Sequence, residues 1–318
     1  MKALQALCLT WAFLASLPAG AQTISLVSDL NGRYGSTDYH DRVTAAVAGI
    51  VELQPDLVIS AGDMVAGQKQ PLLDAAHLER MWQGFNDTVS DPLAEAGIPL
   101  AVTAGNHDGS GFTEFRLEQE HFARQWNGRH AGLEILPGSE WPRRYAARVG
   151  GILLLSFDGT IPGKLPAAEY GFVAAMLAEY GASAQAIIVF SHLPMWPFAK
   201  GREKEVLDDP DLLALLHRFD VDVYASGHHH LFYAATDEAG MLHLAVGALG
   251  GNARAFSTST ARQPHSMAEL TFDKGSLRVR ALFAPGFAQE LDINSLPPWI
   301  DGPLGRLTRL DSATGEQQ

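Results

Sequence analysis

Cysteine is nearly missing. The 318 residues hold one, Cys8, inside an apolar stretch at the N-terminus. The rest of the chain therefore offers no disulfide framework, no thiolate metal site and no cysteine nucleophile. Basic clusters are missing too. Lys and Arg total 23 against 36 Asp and Glu, the net charge is −13, and no basic run exceeds Arg143-Arg144. Binding of duplex nucleic acid through a basic face is excluded on that balance. No fixed-period repeat and no low-complexity tract occurs. The longest apolar run, Ala6 to Leu17, is shorter than the ~18–20 residues a membrane span needs. It follows Met1-Lys2 and precedes Pro18-Ala19-Gly20-Ala21-Gln22, a small-x-small cleavage pattern. Residues 1–21 thus read as a secretory signal peptide rather than a membrane anchor. Its removal takes away Lys2 and Cys8, leaving a cysteine-free chain of net charge −14. Export without disulfides fits a bacterial periplasmic or secreted protein with no membrane span after cleavage.

What remains alternates in period. Strand-like runs at 23–29, 56–63, 98–108, 185–192 and 221–230 are separated by helical patterns at 39–53, 71–97, 112–126, 166–181 and 204–219. A hairpin turning at Gly150-Gly151 spans 144–159, and further strands are expected at 231–236, 241–248, 266–272 and 276–283. Strand–helix units followed by strands predict a layered α/β fold with mixed sheets. Residues 22–290 form the domain, and 291–318, rich in Pro, Gly and polar residues, reads as a tail that packs at Trp299–Ile300 and then frays.

Five polar clusters stand at the C-terminal ends of predicted strands: Asp29-Leu30-Asn31, Gly62-Asp63, Gly105-Asn106-His107-Asp108, Ser191-His192 and Gly227-His228-His229-His230. In open α/β sheets the loops at the strands' carboxyl ends form the ligand crevice, so these segments are expected to converge. Carboxylate, amide and imidazole donors without thiolate suit Mn, Fe, Zn or Mg. One carboxylate shared between two clusters can bridge a pair of ions, the arrangement that activates water for in-line displacement. Glycines before Asp63, Asn106 and His228 allow sharp turns there.

Taken in order, Asp29, GD at 62–63, GNHD at 105–108, His192 and GHHH at 227–230 resemble the calcineurin-like metallophosphoesterase superfamily, whose pattern is D-x-H, GD, GNH[DE], a lone His and GHxH. The resemblance implies a four-layer αββα sandwich with two mixed β-sheets, two divalent ions between them, and hydrolysis of phosphomonoesters or phosphodiesters of small molecules by a metal-bridging hydroxide. It makes Asp29 and His230 ligands of the first metal, Asp63 the bridge, and Asn106, His192 and His228 ligands of the second. His107 becomes the general acid or charge stabiliser, with Asp108 holding its imidazole and raising its pKa.

The pattern fails at Asn31, where the family has His. Either the amide oxygen ligates the first metal, or water fills a weakened site, or the protein is a degenerate, non-catalytic binding protein of the same fold. The first two readings are favoured because every other position is present, and an amide oxygen would shift the first site toward Mn or Mg. Tyr34, Tyr39 and His40 share that loop and could approach the site. Trp196 and Phe198 after His192 either wall the pocket or pack in the core. Gly247–Arg254 is expected as a flexible rim from which Arg254 reaches a substrate phosphate.

Overall fold

The computed structural model describes residues 21–129, 132–273 and 275–310. All of the expected signal peptide but Ala21, and the end of the expected tail, lie outside them. Among the described residues no helix is long and apolar enough to cross a membrane.

The chain begins with β1 (Gln22–Val27), α1 (Asp41–Leu53), β2 (Leu57–Ser60), α2 (Ala75–Phe85), α3 (Asp91–Glu95), β3 (Leu100–Val102), the single turn α4 (Asn106–Gly109) and α5 (Arg116–Trp126). Then come β4 (Glu134–Ile135), β5 (Tyr145–Val149), β6 (Ile152–Ser156), α6 (Ala167–Tyr180), β7 (Ala186–Phe190), α7 (Pro210–Arg218), β8 (Val223–Ser226), β9 (Tyr233–Thr236) and β10 (Leu242–Ala245). The remainder is β11 (Ser266–Asp273), β12 (Ser276–Phe283), β13 (Gln289–Glu290), β14 (Trp299–Gly302) and β15 (Gly305–Arg309).

Two mixed sheets result among the described residues, ordered β13-β12-β11-β1-β2-β3 and β14-β15-β9-β10-β8-β7-β6-β5-β4. Strands β1, β2 and β3 run parallel, as do β6, β7, β8 and β10. Period-two alternation gives each strand of the first sheet two destinations. Ile24, Leu26, Leu57, Ile59 and Ala101 join the core shared with the second sheet. Val27, Val58, Leu100 and Val102 face the other way, onto Val43, Ile50, Met81, Phe85 and Trp126 of α1, α2 and α5. Helices α6 and α7 pack Val173, Leu177, Leu212 and Leu216 against the second sheet. The layers are helix, sheet, sheet, helix, the expected αββα sandwich.

Three expectations need correction. The third strand ends at Val102 rather than at 108, so Asn106 and His107 ride on the helical turn α4. The helix expected from 204 starts at Pro210. Asp209 caps it, accepting from the amides of Asp211 and Leu212, with Pro at the first turn. The stretch after Ile300, expected to fray, instead completes the β14–β15 hairpin, and β15 pairs with β9 through Thr308↔Thr236 and Arg309↔Ala235. Ile300 and Leu307 are buried, and burying them favours sheet extension over a loose end.

Candidate metal centre

The parallel strands deliver the polar clusters to one seam between the sheets. Asp29, Asp63 and Asn106 leave β1, β2 and β3, while His192 and His228 leave β7 and β8. Loop hydrogen bonds lock them together. The Asp29 amide donates to Gly62 O at 3.0 Å, Asn31 N to Asp63 O at 3.1 Å, and Gly227 N to His192 O at 3.0 Å. Ser28 and Ala248 form a parallel bridge across the seam. The glycines serve two purposes. Gly62 has φ +93°, a left-handed turn. Gly227 is required for closeness instead, since a Cβ there would lie 1.9 Å from Ser28 Oγ. Asp29, Asp63, His228 and His230 are themselves left-handed, with φ of 51°, 57°, 63° and 52°. Each such residue costs about 1–2 kcal/mol, and clustering of such strain marks functional sites.

One group of donors gathers around Asp63 Oδ2. His192 Nε2 is 3.4 Å from it, 3.0 Å from Asn106 Oδ1 and 3.2 Å from His228 Nδ1. Each candidate ligand's other end is occupied. His192 Nδ1 lies 2.8 Å from the Ala61 carbonyl, which can only accept, so in the neutral ring Nδ1 carries the proton and Nε2 the lone pair. His228 Nε2 donates to Glu205 Oε2 at 2.7 Å, leaving Nδ1 free. The Asn106 amide nitrogen donates to Gln68 Oε1, turning its oxygen inward. Such outer partners orient metal-binding side chains and raise their basicity. Burial holds His228 down at about 4, hence neutral. The hydrogen bond from His228 keeps Glu205, against burial, an ionised carboxylate at about 2, with Arg202 assisting.

A second group comprises Asp29, Asp63 and His230, whose candidate ligand atoms lie within 4.8 Å of one another. Asp29 Oδ2 accepts from Ser28 Oγ at 2.8 Å and His228 N at 3.0 Å. Its Oδ1 is 3.0 Å from His230 Nε2 yet satisfies no hydrogen bond, although fully buried. His230 Nδ1 donates to Asn252 O at 2.8 Å, so Nε2 again presents a lone pair. The Asn31 amide nitrogen donates to Val65 O at 3.3 Å, which commits it and leaves the oxygen as its remaining acceptor.

Carboxylates, amide oxygens and imidazole lone pairs facing one another are mutually repulsive unless a cation sits among them. The orphaned Asp29 Oδ1 and the convergent lone pairs fit two divalent ions. Electrostatics agree: against burial, the Asp63 carboxylate draws a proton onto His192, up to about 9. The pocket asks for positive charge, and a proton is the smallest available.

His107 stands at the edge, its side chain 38% exposed. Its amide donates to Asp63 Oδ1 at 2.8 Å, and Nε2 lies 3.9 Å from Asp63 Oδ2. The expected role of Asp108 is not what the geometry provides. Both Asp108 oxygens accept backbone amides, Val65 N at 2.7 Å and Gly105 N at 2.9 Å. The group holding the His107 ring is the Gly67 carbonyl, 2.6 Å from Nδ1. Asp108 sits at the third position of the turn that begins after Gly105, where a carboxylate naturally reaches back to free amides. Burial and the nearby Asp63 charge push it up to about 7.

Of these groups Asn31, Asp63, Asn106, His107, His228 and His230 line a cavity of about 480 Å³, together with Tyr34, Gln68, Phe112, Arg202, Glu205, Asn252 and Arg254. Glu205, Gln68 and the Asn252 carbonyl are absent from any motif. Trp196 and Phe198 belong to the core, at 0% and 1% exposure. The aromatic rings on the cavity are Tyr34 and Phe112. The 247–254 segment packs tightly: Gly250 and Gly251 amides both donate to Asp29 O, and a Cβ on Gly251 would meet the His230 ring at 2.4 Å.

Comparisons with known proteins point the same way. The calcineurin-like phosphoesterase family model matches residues 23–232. The fold is similar to that of a purple acid phosphatase from yellow lupin (Lupinus luteus) seeds, with TM-score 0.63 and 16% identity, over 83% of this chain and 52% of that one. The chain thus spans about half the lupin protein's length. A dimetal phosphatase from Danio rerio matches with TM-score 0.54 and 16% identity, covering 85% of this chain and 98% of its own. The anchor in the inner membrane complex of Plasmodium matches with TM-score 0.57 and 12% identity, covering 92% and 91%. No curated protein sequence matches the chain. With the family model matched over well more than half of its length, the chain belongs to the calcineurin-like phosphoesterase family.

Proposed function

We propose that the protein hydrolyses small-molecule phosphoesters at a dinuclear metal centre in the bacterial periplasm or outside the cell. The observation carrying this reading is the set of imidazole lone pairs, each pinned from behind, that the second sheet turns toward Asp29 and Asp63 of the first. Asp29, Asn31, Asp63 and His230 would hold the first ion, and Asp63, Asn106, His192 and His228 the second. When bound, such a pair supplies an activated water and stabilises charge on phosphoryl oxygens. The protein's own part is orientation and proton transfer. With Nδ1 of His107 committed to the Gly67 carbonyl, Nε2 is the nitrogen that exchanges its proton. The protonated ring gives that proton to the leaving oxygen. Asp108 keeps the turn rigid by bridging the Gly105 and Val65 amides. Tyr34 and Phe112, on the cavity wall, suit an aromatic or apolar leaving group.

A rival reading is favoured by one feature, the amide at Asn31: a fold-sharing binding protein without turnover. Fold alone does not decide, since the same architecture serves a phosphatase in Danio rerio and an anchor in Plasmodium. Purified protein with added Mn is expected to hydrolyse an aryl phosphate. Asp63→Ala and His107→Ala should each lower that rate by ~10²-fold or more. Undiminished turnover by both variants would overturn the assignment, and native protein free of metal would support the rival.

A further inference from the structure

Two arginines line the cavity, and they are differently employed. Arg202 gives its Nη1 to both Glu205 oxygens at 2.6 Å, so its charge is matched. Among the described residues Arg254 has no carboxylate within ion-pair distance. Its guanidinium is anchored by one bond, Nη1 to the His228 carbonyl at 2.7 Å. The other donors of the fork are left to the cavity it lines. An incompletely paired, partly buried guanidinium is costly to keep, and in a chain of net charge −13 it is conspicuous. Its surroundings explain why no protein carboxylate serves as partner. Of the neighbouring carboxylates, Asp29 and Asp63 are groups that two cations would neutralise, and Glu205 is already engaged by Arg202 and His228, which leaves the Arg254 charge surplus.

A phosphodiester brings one negative charge, whereas a phosphomonoester near neutral pH brings close to two. Planar guanidinium donors suit paired phosphoryl oxygens. We propose that Arg254 is a specificity residue that binds the non-bridging oxygens of a dianionic phosphoryl group and biases the site toward phosphomonoesters over phosphodiesters. This rests on the phosphoesterase reading above. The packed 247–254 segment holds Arg254 in place, with Gly250 and Gly251 fastened to Asp29 and the Asn252 carbonyl to His230.

The test compares wild type, Arg254→Gln and Arg254→Lys on para-nitrophenyl phosphate and bis(para-nitrophenyl) phosphate. Metal content of each protein is measured alongside. Loss of one charge-assisted contact predicts a ~10–100-fold lower kcat/KM for the monoester in Arg254→Gln, carried mainly by KM. The diester should change less than about threefold, and Lys should restore part of the loss. Equal losses on both esters, or loss of metal in Arg254→Gln, would make Arg254 a brace for the His228 backbone and overturn the proposal. No loss on the monoester would also overturn it. Calorimetric titration of the metal-loaded proteins with inorganic phosphate separates this inference from the broader one. If wild type hydrolyses neither ester, the phosphoesterase reading falls. Weaker phosphate binding by Arg254→Gln would still support the anion subsite, and equal binding would sink it.

Discussion

The two halves of the candidate centre are built to different standards. Around His192 and His228, every donor is buried and every back is covered, by the Ala61 carbonyl, by Glu205 and by Gln68. Around Asp29 and His230, one carboxylate oxygen is orphaned, an amide stands where the family has imidazole, and the His230 ring is braced by a loop carbonyl. The contrast teaches that affinity resides as much in the partners behind the ligands as in the ligands. The His192–His228 site should fill first and hold its ion, and the Asn31 site should exchange.

Four experiments bear on that asymmetry. Removing the shared carboxylate abolishes it: Asp63→Ala should empty both sites in metal analysis, along with the loss of activity given above. Glu205→Gln should weaken only the tighter site, by ~10–100-fold in chelator competition. Equal weakening of both sites would show that the halves are not independent. Asn31→His should tighten the weaker site by roughly tenfold and move its preference from Mn or Mg toward Zn, read as two merging binding steps in a titration. Gln68→Ala frees the Asn106 amide at a cost of about 0.5–1.5 kcal/mol. A few-fold loss confined to the tighter site is expected, with the thermal midpoint nearly unchanged.

Much of the candidate site was legible because its polar groups sit where strands stop. Short polar side chains after apolar runs, in the order of the family resemblance, mark Asp29, Asp63, Asn106, His192, His228 and His230 as candidates, and the structure brings these six together. The outer partners were not legible. Glu205 was hidden inside a segment read as helix, although Asp209-Pro210 is itself a helix-start signal that frees residues 204–208 for a loop. The Gly67 carbonyl and the Asn252 carbonyl are backbone atoms, which no side-chain pattern announces. Asp108 misled because adjacency in sequence suggested a partner for His107, whereas one helical turn points its carboxylate back at free amides. The closing hairpin was missed because Gly302, Pro303 and Gly305 dominate its composition and only Ile300 and Leu307 turn inward.

The seam has a consequence for the whole molecule. Asp29, Asp63 and Asn106 belong to one sheet, and His192, His228 and His230 to the other. Ions held between them would act as rivets through both layers, which would link occupancy to folding. A ligand at a hundred times its dissociation constant adds about 2.7 kcal/mol to stability. A chain arriving in a metal-poor compartment would therefore be the more easily prised apart, and its survival would report the local supply of metal.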